Sequence, residues 1–174
     1  LPRLRATPGV AAATVALARQ QIRRTLPNDP LISSQWHLKT SGTASPGTDV
    51  KVEGVWNYGG VGLRGAGVRI GIADDGLEQS HPDLAANVDA ANAWDWNGND
   101  PDPTPGSADR HGTACAGIAA ARADNALGGS GVAPEATLVG MRLIAAPTTD
   151  EQEAEAMIWK KDLIQVKSNS WGPS

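Results

Sequence analysis

The sequence predicts an α/β domain built on a parallel, helix-covered sheet. Two observations carry that expectation. Short apolar runs bounded by glycine or polar residues recur at 67–73, 136–143 and 164–170, and segments of helical composition lie between them at 111–122 and 150–162. Strand, helix, strand, helix, strand is the order a parallel sheet needs, because each parallel strand is regained through a crossover. The chain has 174 residues, about one domain's worth and enough to bury a sizeable core.

The elements follow in chain order. Residues 1–27 contain no acid, and Arg3, Arg5, Arg19, Arg23 and Arg24 carry their charge. Thr7-Pro8, followed by G-V-A-A-A-T-V-A-L-A-R-Q-Q-I-R-R, reads as an Ala-rich helix with Thr at its cap and Pro in its first turn. We assign 1–27 to an N-terminal extension or the remnant of a pro-segment. S-G-T-A-S-P-G-T-D at 41–49 is a loop by composition. G-V-R-I-G-I-A, A-T-L-V-G-M-R-L and I-Q-V-K-S-N-S supply the three strands. The helix starting at His111 opens with Gly112, Thr113, Ala114, Ala116 and Gly117, small residues that allow close approach to a sheet. The second helix carries Ala154, Met157, Ile158 and Leu163 near helical spacing. Asp150 and Glu153 at its start suit the positive end of the helix dipole. Phenylalanine is absent and tryptophan occurs six times, so indoles must supply much of the large apolar volume. Trp36, Trp56 and Trp159 read as core or core edge, and Trp94 and Trp96 as packing around an acidic loop.

Several function classes drop out. The net charge of −4 makes nucleic acid a poor partner. No apolar run approaches the roughly 20 residues that span a bilayer. No N-terminal leader pattern is visible. The single cysteine, Cys115, excludes an internal disulfide and leaves the redox compartment open. Gly60, Gly62 and Gly65 spell G-x-G-x-x-G, but a dinucleotide fingerprint needs a strand before it and a helix after it. Here the strand comes after the glycines.

Two stretches carry chemistry together. In a parallel sheet, functional side chains gather at the carboxyl ends of strands. In I-A-D-D-G at 72–76, Asp74 directly follows the first strand. In D-R-H-G-T-A-C-A-G at 109–117, His111 opens a helix, where the dipole favours the neutral, proton-accepting imidazole. A carboxylate on the other ring nitrogen would fix the tautomer and stabilise the imidazolium. That is a general base with its orienter, in need of a nucleophile.

These motifs resemble those of the subtilisin-like serine proteases, and within them the kexin/furin branch. I-A-D-D-G resembles the catalytic-Asp motif. H-G-T-A-C-A-G resembles the catalytic-His motif, with the cysteine typical of the branch. S-N-S-W-G-P at 168–173 resembles its substrate-binding strand; H-P-D-L at 81–84, N-D-P-L at 28–31 and Q-W-H-L at 35–38 also match. The resemblance implies a subtilisin-like doubly wound parallel sheet, of which 28–174 would be the incomplete N-terminal portion of the catalytic domain. It implies Asp74 as orienter and His111 as general base and then acid. The family's nucleophilic serine and oxyanion asparagine match no position here, and Ser168, Ser170 and Ser174 are not promoted to the role. The expectation is a segment inactive by itself. Its partners would be an extended polypeptide substrate, the remainder of the protease chain, and a pro-segment or chaperone, in a secreted or otherwise extracytoplasmic setting.

The resemblance also implies subsites. Ser170, Trp171, Gly172 and Pro173 would line the substrate, with backbone pairing to an extended peptide. Asp75 matches a carboxylate that contacts a basic residue at the second subsite, against the plainer reading of a turn Asp before Gly76. Asp109 lies near a position where relatives carry acid or amide. Asp150 and Glu153 are read as helix-start acids. Cleavage after paired basic residues is thus inferred from the branch. Calcium (Ca2+) is the implied cofactor. Asp95, Asp100 and Asp102 would form one site. Asp29, Asp83, the Asn125 side chain and backbone oxygens near Arg122, Leu127 and Gly129 would form a second. An EF-hand is excluded at 95–106: Asp100 stands where Gly is required and Gly106 where Glu should close the loop.

Cys115 has two readings, a nucleophile one turn after His111 or a free thiol in the interior behind the histidine. We take the second. Alternatives of other classes are a general subtilase without dibasic preference and a calcium-dependent peptide-binding pseudoenzyme. Loss of Asp74 or His111 would mark the pseudoenzyme. A nucleotide-binding domain would need a phosphate loop after a strand, and there is none.

Overall fold

The computed structural model of the chain describes residue 8 and residues 26–40, 48–58 and 62–172. The extension helix, most of the 41–49 loop, and Pro173 lie outside the described residues. Four parallel strands form one sheet in the order β2-β3-β1-β4: β1 (Arg69–Asp74), β2 (Trp94–Asp95), β3 (Thr137–Arg142) and β4 (Val166–Asn169). The helices are α1 (Val52–Trp56), α2 (His111–Ala120) and α3 (Asp150–Ile158). The three strands and two helices expected within 67–170 are all present with ends shifted by at most four residues, β1 starting two residues later and running one residue further, to Asp74. β2, α1 and one-turn 3-10 helices at Ile32–Ser34, Ala85–Asn87 and Ala90–Asn92 were not expected.

β1 lies inside the sheet and is buried on both faces from Ile70 to Asp74. Alternation sorts its side chains into two layers. Ile70 and Ile72 join Leu138, Leu77, Leu84, Ala116 and Ala120 on the α2 side. Ala73 joins Val139, Met141, Leu143, Ile164 and Ala156 on the α3 side. Helices therefore cover both faces, the doubly wound arrangement expected. Leu38, Val52 and Trp56 form a separate core that holds α1. Trp159 packs against Trp94 and Trp96, with ring centroids 5.3 and 5.7 Å apart. The expectation for Trp36 is corrected: it is 58% exposed and edges onto His37 at the surface.

Local chemistry sets the helix starts. Thr149 and Gln152 close a reciprocal capping box at α3, so Asp150 and Glu153 are indeed first-turn acids. The first turn of α2 lacks a local side-chain cap and takes one from β1, as described below. Glycine at 112 is obligatory for that approach. A Cβ there would run into the Gly76 carbonyl and stand 2.8 Å from Asp74 Cβ.

Candidate active site

Asp74 and His111 meet at the carboxyl edge of the sheet. Asp74 ends β1 and is 1% exposed. Its carboxylate oxygens lie 2.8 and 3.0 Å from Nδ1 of His111, the first residue of α2. Oδ1 also accepts the backbone N–H of Asp75 at 2.8 Å. A carboxylate on Nδ1 selects the tautomer with that proton in place, so Nε2 is the free base. The imidazole is 56% exposed.

Asp75 holds the pair in place. Its Oδ2 accepts the N–H of His111 at 3.0 Å and its Oδ1 the N–H of Gly112 at 2.7 Å. These donors belong to the α2 N-terminus, which no local side chain satisfies. A single side chain thus caps the helix from the neighbouring strand end. Asp75, expected from the resemblance as a substrate contact, is seen here in an architectural role.

Electrostatics correct one expectation. The helix dipole was expected to favour neutral imidazole, but the His111 pKa is raised. The hydrogen bond that Nδ1–H donates to Asp74 is the main cause, followed by the charge of that carboxylate. The Asp75 carboxylate, placed on the first-turn N–H groups, further offsets the dipole's positive end. Two near carboxylates favour the imidazolium, in the opposite sense to the helix dipole.

Cys115 is the second correction. It was expected inside the interior behind the histidine, yet it is half-buried, with Sγ 3.8 Å from Nδ1 and 3.9 Å from Nε2 of His111. One helical turn places it against the imidazole. Burial pushes its thiol pKa up, as do the Asp74 and Asp75 carboxylates, while the Ser170 side chain lowers it. The protonated thiol fits the non-nucleophilic reading. Ser170 and Gly172 are exposed beyond β4. Trp171 is half-buried, and its indole N–H donates to the Ala73 carbonyl at 2.8 Å. That bond ties the segment after β4 to β1. Asp109 is turned inward: its Oδ2 accepts the Gly106 N–H at 3.1 Å and lies 3.6 Å from the Arg142 guanidinium. Arg142 escaped the sequence reading, although a charged residue closing the apolar run L-V-G-M-R is the signal that singled out Asp74.

A family model for the subtilase family matches residues 65–174. The chain belongs to the subtilase family. It is 39% identical over 177 residues to proprotein convertase subtilisin/kexin type 4 of Rattus norvegicus, covering 98% of this chain and 25% of that protein. It is 42% identical over 154 residues to neuroendocrine convertase 2 of Homo sapiens, covering 84% and 24%. The similarity is thus to kexin-like convertases, and the chain spans about a quarter of their length. Among solved structures, the serine protease of Aeromonas sobria in complex with the chaperone ORF2 superposes with a TM-score of 0.73 at 33% identity. That match covers 87% of this chain and 27% of the other. A protease of Pseudoalteromonas arctica gives a TM-score of 0.64 at 25% identity, covering 86% and 47%.

The carboxylate loops of this subtilase differ in how they suit a cation. Asp29 and Asp83 are 2% and 7% exposed. Asp29 accepts the N–H groups of Asp124, Asn125 and Ala126. Asp83 accepts the Asn125 side-chain amide at 2.7 Å and the Gly129 N–H at 3.1 Å, and its carbonyl accepts the Arg122 N–H. The loop turns through left-handed conformations at Asp124, Ala126 and Gly128. Among the described residues, the hydrogen-bond donors to these two buried acids are neutral N–H groups. Two buried carboxylates on one polar loop are oxygen donors of the kind a hard cation takes. In the 95–102 loop, Asp95 Oδ2 and Asp100 Oδ2 converge over Gly98, 2.8 and 2.9 Å from where a Cβ would stand. Asp102 departs from them, its Oδ1 accepting from the Thr104 N–H and hydroxyl. Asp95 is in addition paired with Arg142 at 2.8 Å, so its charge is already balanced. Asp29 and Asp83 have no such cationic partner among the described residues.

Proposed function

We propose that the protein carrying this chain is a serine endopeptidase of the kexin-like type, to which this chain contributes the base and its orienter. The contact of Asp74 Oδ1 with His111 Nδ1 at 2.8 Å carries the reading. His111 Nε2 takes the proton from the attacking serine hydroxyl as the acyl-enzyme forms, then gives it to the leaving amine. Asp74 keeps the ring in the required tautomer and stabilises the imidazolium, in line with the raised His111 pKa. The nucleophile and oxyanion donor match no residue of this chain, and the 174-residue segment is inactive by itself. Residues 28–174 act as the N-terminal part of the catalytic domain and 1–27 as an extension or pro-segment remnant.

The substrate is an extended polypeptide, paired to the backbone of the segment Ser170–Pro173. Cleavage after paired basic residues is supported by the likeness to the convertases. Asp75 would serve a basic residue next to the scissile one while still capping α2, since a carboxylate has about four acceptor positions. Asp109 would add negative potential at the rim. Ca2+ would be held by Asp29, Asp83, Asn125 and the backbone oxygens of Arg122, Leu127 and Gly129. Asp95 and Asp100, with Asp102 at the margin, would form the weaker site. When bound, the cation supplies charge balance for buried carboxylates. The relatives support an extracytoplasmic setting; among the described residues no helix is long and apolar enough to cross a membrane. A pro-segment or chaperone partner is supported by the neighbour solved with a chaperone.

The test uses the intact protein and peptide amides ending in Lys-Arg or in Ala-Ala. We expect cleavage after Lys-Arg, inactivation by an organophosphorus serine reagent, and loss of both in His111→Ala. Equal cleavage of the two peptides would leave a subtilase without dibasic preference. Peptide binding without turnover or labelling would leave the pseudoenzyme reading.

A further inference from the structure

Arg142 ends β3 and stands in register with two acids, Asp74 on β1 and Asp95 on β2. Its planar guanidinium offers donors in several directions, and three are used. Nη1 donates to Asp95 Oδ2 at 2.8 Å, Nε donates to the Asp75 carbonyl at 3.3 Å, and Nη2 lies 3.6 Å from Asp109 Oδ2. None of these contacts goes to the carboxylate of Asp74.

Two of the partners lead to His111 by a short path. Asp75 accepts the N–H groups of His111 and Gly112. Asp109 stands two residues before His111 and closes the turn that delivers it, its N–H donating to the Gly106 carbonyl and its carboxylate accepting the Gly106 N–H. Asp95 anchors the edge strand, where its N–H and carbonyl pair with Asp100 and its Oδ1 accepts from Asn97 and Gly98. The guanidinium thus bridges the end of the strand that presents Asp74 and the turn that presents His111. Pairing with Asp95 also engages the cation elsewhere, so the Asp74 carboxylate keeps only the His111 imidazole and the Asp75 N–H as hydrogen-bond partners.

We propose that Arg142 is a positioning residue for the Asp74–His111 pair. It fixes the start of α2 against the end of β1 through Asp75 and Asp109, and it touches neither substrate nor the reacting atoms. The kinetic side of this proposal rests on the serine-protease reading. A lysine in its place would keep the charge but lose the planar fork that reaches Asp95 and the Asp75 carbonyl together.

The competing account is that Arg142 only balances the buried Asp95. Removing both partners separates the two, because Arg142→Met with Asp95→Asn leaves no unpaired charge at the buried Asp95 site, while the more exposed Asp109 keeps its Gly106 N–H. In the intact protein, this double variant and Arg142→Lys are compared with wild type in kcat and KM on one peptide amide. The low-field proton resonance of the His111 Nδ1–H···Asp74 hydrogen bond is recorded for each. The positioning role predicts about 10²-fold loss of kcat in the double variant at unchanged KM, the effect of an ångström-scale misplacement. It also predicts a broadened or shifted low-field resonance, and partial recovery of both in Arg142→Lys. Wild-type kcat and an unshifted resonance in the double variant would overturn it. The resonance needs no turnover. A wild-type protein without peptidase activity would sink the protease reading and still let that signal decide the role of Arg142.

Discussion

Asp74 and Asp95 are two versions of the same feature. Both are buried acids, 1% and 4% exposed, at the carboxyl ends of parallel strands, and both stand in register with Arg142. Asp95 is given a permanent cation and two backbone N–H groups. Asp74 is given a titratable ring that is 56% exposed. The first arrangement is a buried ion pair tied to its own loop and serves as scaffold. The second contains an imidazole whose pKa is raised by its carboxylate, and a group that can take up and release a proton is what proton transfer requires. The partner, more than the burial of the acid, decides whether a strand-end carboxylate does chemistry.

Breaking each half should have opposite signatures. Asp74→Asn removes the tautomer control and should lower kcat by about 10⁴-fold while leaving the fold in place. Comparable kcat in Asp74→Asn and wild type would end the catalytic reading of this acid. Arg142→Met alone strands the buried Asp95 charge and should lower unfolding stability by about 3–5 kcal/mol. Urea denaturation reads that loss, and an unchanged midpoint would show that Asp95 needs no cation.

A smaller effect sharpens the contrast with Asp29 and Asp83, which have neutral donors only. If a divalent cation binds there, excess EDTA lowers the melting temperature by about 2–4 °C for each kcal/mol of binding lost. Unchanged melting removes calcium from this account. The dyad also predicts a pH dependence. Because the folded His111 pKa lies above the ordinary 6.5, activity from the free base should rise with pH through a value higher than that. Protonated His111 stabilises the fold fully below about 6.5 and loses this contribution as pH climbs through the raised value. That part is slight for so exposed a ring. The smallest expected effect is at Cys115. With its thiol pKa raised, iodoacetamide at neutral pH should react more slowly than with a solvent-exposed thiol. Reaction at or above that rate would contradict the protonated, sheltered thiol.

The parts of this structure legible in the sequence were those with a period or a motif behind them. β1, β3, α2 and α3 each announce themselves by apolar runs or small-residue patterns, and Asp74 and His111 by their place at a strand end and a helix start. β2 is only two residues long, too short for alternation to register. The strand order depends on which crossovers form, which no local pattern encodes. Trp36 misled because an indole is amphipathic and its burial depends on neighbours distant in sequence. Asp75 was read as a substrate acid because capping from another element leaves no local S/T/D-x-x-E signature. Arg142 was missed because its three contacts, at Asp75, Asp95 and Asp109, lie 33 or more positions away.

The account turns on the carboxylate of Asp74 acting on the ring of His111. Titration of the His111 C2 proton by NMR, in wild type and Asp74→Asn, measures this directly. The account predicts a wild-type pKa above 6.5 that drops when the carboxylate becomes an amide. Identical titration curves in the two proteins would contradict it.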